Sequence, residues 1–189
     1  MKRKILQIGD PILENKSELV ASVNEPKIQA LISDLLETCL VKEDITAGLS
    51  APQIGENLAI IVCRRMDIEE KDGITLPADK AWELMINPKI LKSSRKESSY
   101  WEGCLSVGEG ENGLYAPVSR PDEIQISYLD RNGKAKTLDC KGFFAHIVQH
   151  EVDHLEGKLF LGYVENPETI WKSKDLDKYY QAHGEYPSF

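Results

Sequence analysis

The spacing of apolar residues along the chain predicts two amphipathic helices. From Glu25 to Leu40 the apolar positions recur three and four residues apart, as on one face of an α-helix, and Pro26 suits the first turn. Residues 142–156 repeat this spacing, and Gly157 follows at a position that commonly ends a helix. We expect each helix to bury its apolar face in a core.

Runs of apolar and β-branched residues between these helices predict strands. Residues 58–63 are continuously apolar, and residues 83–91 and 123–130 also have strand character. The turn-forming segment 130–134, DRNGK, leads into a partner strand at 135–140. Because these strands lead into one buried helix instead of alternating with helices, we expect an α+β fold. Its mixed or antiparallel sheets would surround the second helix, with the first helix packed outside.

Two further segments have weaker patterns. Residues 66–82 contain Asp, Gly and Pro between two predicted strands, which predicts a loop. Residues from about 167 to 180 carry apolar positions suited to a final helix, and the last nine residues, QAHGEYPSF, have the composition of a tail. A chain of 189 residues can bury one good core but is short for two, so we expect one domain.

Charge and composition disfavour several classes of function. The chain has 31 acidic and 23 basic residues, a formal net charge of -8, and no basic run beyond its first four residues. A phosphate backbone would be repelled, so direct nucleic-acid binding is not expected. The N-terminal apolar stretch is too short for a signal peptide, and no stretch is long enough to span a membrane. We expect a soluble protein of the cytoplasm that acts without a membrane.

The second predicted helix carries the segment QHEVDH, in which His150 and His154 are four residues apart. Positions i and i+4 share one helix face, so both imidazoles can reach a single metal ion. Glu151 is placed to act as general base for a water at such a metal. The alternative is a solvated polar face, which the otherwise apolar character of this helix disfavours.

A catalytic site of this kind needs a third protein ligand. The extended motif H-E-x-x-H-x-x-G-x-x-H is excluded because Phe160 occupies its last position. Glu165 and Glu168 are downstream candidates, but they lie in a polar segment without a clear supporting helix. His146 would lie about 12 Å from His154 along the helix axis, too far for one metal, and is expected to be a buried or pocket-lining side chain.

Cys104, in the segment EGCLS, can supply that third ligand as a thiolate, although a buried core thiol is the simpler interpretation of one cysteine. The other cysteines lie in apolar stripes and are expected in the core: Cys39, Cys63 and Cys140. Gln53, in the small-residue loop TAGLSAPQIG, carries an amide that could donate to an oxyanion. The backbone N–H of Leu105 could do the same.

Three segments, TAGLSAPQ, EGCLS and QHEVDH, together resemble the motifs of peptide deformylases and stand in the same order. The second and third match the family pattern in full. The first departs from it at Thr46, Ala47 and Ser50. The resemblance extends from GDPIL near the N-terminus to GKLF after the histidines, and thus covers most of the chain.

The resemblance implies a metal-dependent hydrolase that removes the N-formyl group from new polypeptides and releases formate. The implied metal ligands are a thiolate and two imidazoles, namely Cys104, His150 and His154. The family natively uses Fe(II), one ion per chain, and tolerates Ni, Co or Zn. Glu151 would move the proton, while Gln53 and Leu105 would stabilise the oxyanion.

The implied substrates are nascent chains that begin with N-formyl-methionine, met at the ribosome and bound as an extended strand. The positions expected to contact the substrate are Ala47, Gly48, Leu49, Glu102, Gly103 and His146. Gly48 is expected to lie against the peptide main chain. His146 replaces an apolar residue usual in the family, which predicts an altered side-chain pocket. The glycine-rich stretch 107–119 could form a flap.

The resemblance also divides the chain into a deformylase-like catalytic domain, residues 1–165, and a C-terminal extension, residues 166–189, packed on it. Two other functions remain open from the residues alone. A zinc endopeptidase would cleave internal bonds and would keep its metal without Cys104. A non-catalytic metal-binding or peptide-binding module would need neither Glu151 nor Gln53.

Overall fold

The computed structural model describes residues 2–42, 45–68 and 81–189, which form an α+β fold with two antiparallel sheets. The long helices are α1 (Pro26–Val41), α2 (Gly142–Leu155) and α3 (Ser173–His183). The strands are β1 (Gly48–Ser50), β2 (Ile60–Arg64), β3 (Trp82–Ser93), β4 (Glu97–Gly103), β5 (Leu114–Pro121), β6 (Glu123–Leu129), β7 (Ala135–Lys141) and β8 (Trp171–Lys172).

The larger sheet has the strand order β1-β2-β3-β6-β7, and the smaller has the order β4-β5-β8. In the larger sheet Leu49 of β1 pairs with Val62 of β2. β6 and β7 form the predicted hairpin, and Gly133 in its turn has a φ of 75°. β1 and β4 are each an edge strand, so each leaves one side of its backbone without a neighbouring strand.

The continuous apolar run in β2 is explained by its position between two cores. Ile60 and Val62 are fully buried in a cluster with α1, while Ile61 and Cys63 are fully buried in a second cluster with α2. Successive side chains of a strand point to opposite faces, so a strand covered on both faces must be apolar throughout. Packing on both faces therefore holds β2 in place. β1 is held with it, because β1 pairs with β2.

Helix α2 lies between the two sheets and contacts strands of both. Gly157, just beyond its end, has a φ of 69°, and a Cβ there would collide with the backbone oxygen of Glu14. Glycine is therefore required both by the backbone conformation and by the neighbouring chain. The predicted bounds of α1 and α2 are confirmed to within two residues.

The smaller sheet and the C-terminal part differ from the sequence-based expectation. β4, β5 and β8 were not predicted as strands, and most of the glycine-rich stretch 107–119 is a single 3-10 turn followed by β5. The final helix begins at Ser173, later than expected, and extends to His183. The predicted loop at 66–82 falls mainly on residues outside the described part, and Trp82 already belongs to β3.

No helix in the described residues combines the length and apolar character that crossing a bilayer requires.

Candidate active site

Helix α2 and the end of β4 bring a thiol and two imidazoles together. Cys104 follows directly after β4, and His150 and His154 occupy successive turns of α2. Their ligand atoms all lie within 4.8 Å of one another, and Cys104 Sγ is 3.3 Å from His154 Nε2. The two imidazole rings are 5.1 Å apart at 78°. The structure thus brings the two histidines of the i, i+4 pair and Cys104 into one group.

This donor set fits one divalent metal ion. Metal–sulfur and metal–nitrogen bonds of about 2.3 and 2.0–2.1 Å in a tetrahedral site place sulfur and nitrogen about 3.5 Å apart, close to the observed distance. His150 Nδ1 lies 2.7 Å from Glu102 Oε2, which leaves Nε2 free for a metal. Glu165 and Glu168, the downstream candidates, are exposed and do not belong to the converging group.

Glu102 anchors the site through a buried ion-pair network. Arg120 donates from Nε to Oε1 at 2.5 Å and from Nη2 to Oε2 at 3.2 Å, and its Nη1 donates to Asp153 Oδ2 at 2.7 Å. Burial alone would raise the pKa of Glu102, but hydrogen bonds from His146, His150 and Arg120 outweigh it and hold that pKa well below its ordinary value. Glu102 therefore stays charged and orients His150.

Gln53 is held in one orientation next to Cys104. Its Oε1 accepts from both the backbone N–H and the hydroxyl of Ser50, each at 2.9 Å. Its Nε2 therefore points the other way, 3.5 Å from Cys104 Sγ and 3.2 Å from Ser106 Oγ. Among the described residues no acceptor is found for the backbone N–H of Leu105. The donors that lie next to the thiol are thus Gln53 Nε2 and the backbone N–H of Ser106, which is 3.4 Å from Cys104 Sγ.

Glu151 is only 3% exposed, and its Oε2 lacks a hydrogen-bond partner among the described residues. Burial raises the pKa of this carboxyl to about 7, which suits a group that must both accept and release a proton. Gly48 on β1 faces it closely. A Cβ at position 48 would lie 2.8 Å from Glu151 Cγ, so the absence of a side chain there makes room for the carboxylate.

A cavity of about 420 Å³ opens onto these groups. It brings together most of the residues predicted for catalysis, substrate contact and metal binding, namely Ala47, Gly48, Gln53, Glu102, Gly103, Cys104, Leu105, His146, His150 and Glu151. His154 lies behind this lining and is 1% exposed. The side chain of Leu49 does not line the cavity, because it is fully buried in the core cluster with α1.

His146 is a buried, cavity-lining residue and does not join the converging metal-binding group. Its Nε2 contacts Glu102 Oε1, and its ring packs edge-on against Tyr100 at 5.0 Å between centroids. The ring of Phe143, one turn earlier on α2, is stacked at 6.4 Å. The imidazole thus contacts two aromatic rings, of which Phe143 lines the same cavity.

Sequence reasoning did not single out Ser50, Arg120 and Asp153 as parts of the site. Ser50 had been noted only as a departure from a motif, yet its hydroxyl fixes Gln53. Asp153 lies inside QHEVDH, one turn after His150 on the helix, which was a usable signal. Arg120 lies outside every segment that was analysed for chemistry, so only the fold reveals its pairing with Glu102.

Comparison with known proteins agrees with this geometry. A sequence profile of the family described as polypeptide deformylase matches residues 2–169. A peptide deformylase of Dictyoglomus thermophilum is 40% identical over 161 residues, which are 85% of this chain and 92% of that protein.

Solved structures show the same likeness. Peptide deformylase from Ehrlichia chaffeensis in complex with actinonin has a TM-score of 0.75 at 31% identity, over 96% of this chain and 98% of that chain. The Met-Ala-Ser-bound class I type b peptide deformylase from Acinetobacter baumannii has a TM-score of 0.74 at 27% identity, over 87% and 99%. From the family profile and the extent of these similarities, the chain belongs to the peptide deformylase family.

Proposed function

We propose that Cys104, His150 and His154 hold the one metal ion with which this enzyme works, and that the native ion is Fe(II). As a member of its family, the chain is a metal-dependent hydrolase that removes the N-formyl group from newly made peptides. The observation that carries the proposal is the convergence of these ligand atoms within 4.8 Å beside the buried Glu151. A thiolate with two imidazoles also suits Ni, Co or Zn.

When bound, the metal supplies Lewis acidity, which lowers the pKa of water and polarises a carbonyl oxygen. Glu151 takes a proton from the attacking water as its oxygen forms a bond to the formyl carbon. Glu151 then gives that proton to the leaving nitrogen as the C–N bond breaks. The products are formate and a free N-terminal amine. The pKa of about 7 for Glu151 supports both proton transfers.

Gln53 and Leu105 are proposed to stabilise the oxyanion that develops on the formyl oxygen. Ser50 fixes the Gln53 amide before substrate arrives, so no reorganisation is needed during the reaction. The Leu105 N–H, which directly follows Cys104 in the chain and has no acceptor among the described residues, is proposed as the second donor. A well-placed donor of this kind contributes about 3–4 kcal/mol to transition-state stabilisation.

The peptide is proposed to bind as an extended strand between the two sheets. Gly48 on the edge strand β1 and Gly103 on the edge strand β4 both line the cavity, so both offer backbone groups to an added strand. Leu49 would take part through its backbone, since its side chain is buried. Ala47, Glu102 and His146 would surround the methionine side chain. The Acinetobacter baumannii relative binds Met-Ala-Ser, a tripeptide that begins with methionine.

We further propose that the enzyme meets nascent chains at the ribosome, in the cytoplasm, without direct nucleic-acid contacts. The net charge of -8 supports the absence of a phosphate-binding surface. Residues 1–165 would form the catalytic domain and residues 166–189 an extension packed on it. The pairing of β8 with β5 and the 3% exposure of Leu176 on α3 support this packing.

The test is formate release from formyl-Met-Ala-Ser by protein purified without oxygen, with bound metal quantified in the same sample. We expect turnover with about one metal per chain. Cys104→Ala should lose both. The matched control is Cys140→Ala, a buried thiol in the core, which should keep both. Retained metal in Cys104→Ala together with cleavage of internal peptide bonds would overturn the proposal in favour of an endopeptidase.

A further inference from the structure

The active-site cavity adjoins a second cavity of about 400 Å³. The two share a boundary whose members line both, namely Trp101, Tyr115, Phe143, Ser173 and Asp177. In the β4–β5 ladder Trp101 pairs with Pro117, and Tyr115 pairs with Gly103, which lies next to Cys104. A Cβ on Gly103 would collide with the ring of Tyr115, so this ring lies directly over the backbone that leads to the thiol. The second cavity therefore begins where the proposed peptide path leaves the metal site.

The wall of this second cavity is mainly aromatic. Two of its rings come from the C-terminal segment: Tyr186 lies 6.4 Å from Trp101 between centroids, and Phe189 lies 5.9 Å from it at 80°. Tyr186 is 47% exposed and Phe189 62% exposed. Both rings expose apolar surface to the cavity. A bound apolar group would cover that surface and remove it from water.

The C-terminal segment is attached to the smaller sheet at defined points. Tyr115 pairs with Trp171 of β8, and the backbone N–H of Ser173 donates to Gly113 O at 2.8 Å. Leu176 on α3 is 3% exposed and also lines the second cavity. β5 thus contributes Tyr115 to the active-site cavity. The same strand anchors the C-terminal segment that lines the second cavity.

The charge of the side chains that line the second cavity indicates which kind of group it can bind. Asp177 is the only charged side chain among the described residues that line the second cavity, and no Lys or Arg is among them. A carboxylate or phosphate would find no cation there, whereas an uncharged apolar side chain would meet aromatic faces. The cavity is therefore suited to a large apolar or aromatic group.

We propose that this second cavity, built by Trp101 together with Tyr186 and Phe189, binds a large apolar side chain from one of the two substrate residues that follow methionine. This inference rests on the proposed function, because it takes the peptide to run from the metal site past Gly103. The C-terminal segment thus makes the enzyme select among formylated peptides by residues beyond the first.

An extended peptide advances about 3.3 Å per residue, and its successive side chains point to opposite faces. With the methionine side chain directed toward His146, only one of the next two side chains can point into the second cavity. The preference is therefore confined to one position.

The test compares kcat/KM for formyl-Met-Ala-Ser, formyl-Met-Phe-Ser and formyl-Met-Ala-Phe with the metal-loaded enzyme. One of the two phenylalanine peptides should be preferred over formyl-Met-Ala-Ser by roughly threefold to tenfold, the effect of one aromatic contact. In the double variant Tyr186→Ala/Phe189→Ala, the ratio of kcat/KM for the preferred phenylalanine peptide to kcat/KM for formyl-Met-Ala-Ser should fall to about one.

The matched control is Leu19→Ala, which removes a 73% exposed apolar side chain that lines neither cavity and should leave the preference unchanged. Equal kcat/KM for all three peptides, or a preference that survives in the double variant, would overturn the inference while leaving the proposed function intact. Failure of every peptide to react would overturn the proposed function and the inference with it.

Discussion

At the inner end of the active-site cavity, the groups around Cys104 are buried and tied to fixed partners. Glu102 is held by Arg120 and His150, and Gln53 is held by Ser50. At the outer end, the rings of the C-terminal segment are partly exposed and contact other rings at 4.8 to 6.4 Å. Hydrogen bonds and ion pairs fix direction, whereas ring contacts tolerate small shifts.

The inner and outer ends of the cavity therefore suit different tasks. Catalysis depends on positions held within a fraction of an ångström, which the inner end supplies. Recognition of varied peptide side chains tolerates adjustment, which the outer end allows. Substitutions at the inner end should therefore cost far more activity than substitutions at the outer end.

The largest expected effect is at Glu151. Glu151→Gln keeps the shape of the side chain but cannot accept the proton from water, so kcat should fall about 10²-fold to 10⁴-fold. Bound metal should stay near wild-type content, because Glu151 does not belong to the converging ligand group. Kinetics and metal content measured on one preparation check this. Unchanged turnover would contradict the role of Glu151 in proton transfer.

Arg120→Met tests the ion-pair network. Removing Arg120, whose side chain is 5% exposed, leaves the buried Glu102 carboxylate without its cation, at a cost of about 3–5 kcal/mol in the free energy of unfolding. Loss of the support for His150 should also weaken metal binding about 10-fold to 100-fold. Arg131→Met is the control, since the side-chain hydrogen bonds of Arg131 to Gln29 and Ser33 are exposed to solvent. Urea unfolding and metal titration of both variants decide the outcome.

Gly48→Ala tests the room made for Glu151. The new Cβ would meet Glu151 Cγ at 2.8 Å, so the carboxylate must move. A displacement of this size can lower kcat by up to about 10²-fold, with metal binding retained. Gly162→Ala is the control, because a Cβ there has no neighbour within 4 Å. Equal kcat in the two variants would contradict a tight fit between β1 and α2.

His146 lies between the two ends, and its substitution should have the smallest effect. His146→Ile makes the methionine-side pocket apolar while Glu102 keeps Arg120 and His150. The ratio of kcat/KM for formyl-Met-Ala-Ser over formyl-Gln-Ala-Ser should rise roughly threefold to tenfold, the effect of one polar contact. His183→Ile, at an exposed position on α3, should leave the ratio unchanged. No change in His146→Ile would mean that the ring serves packing alone.

The sequence predicted the inner end better than the outer one, for a physical reason. The relative positions of the proposed metal ligands on α2 are set by helical periodicity, which local spacing reveals. The glycine-rich stretch 107–119 predicts a flap, and Pro117 and Pro121 also disfavour a strand, so β5 has no local strand pattern. These prolines are tolerated because β8 covers only Leu114 and Tyr115, so the outer edge of β5 needs no further hydrogen bonds. Arg120 and the C-terminal rings meet their partners only through long-range packing, which no local pattern encodes.

Strand β2 is shared by the core cluster with α1 and the core cluster with α2. Loosening either cluster therefore also removes support from β1, which carries Gly48, and from α2, which carries the histidines. Neither core cluster can unfold separately, because β2 would then lose the packing on one of its two faces. The amide hydrogens of β2 should accordingly exchange with solvent only when the whole chain unfolds, as the slowest in the molecule.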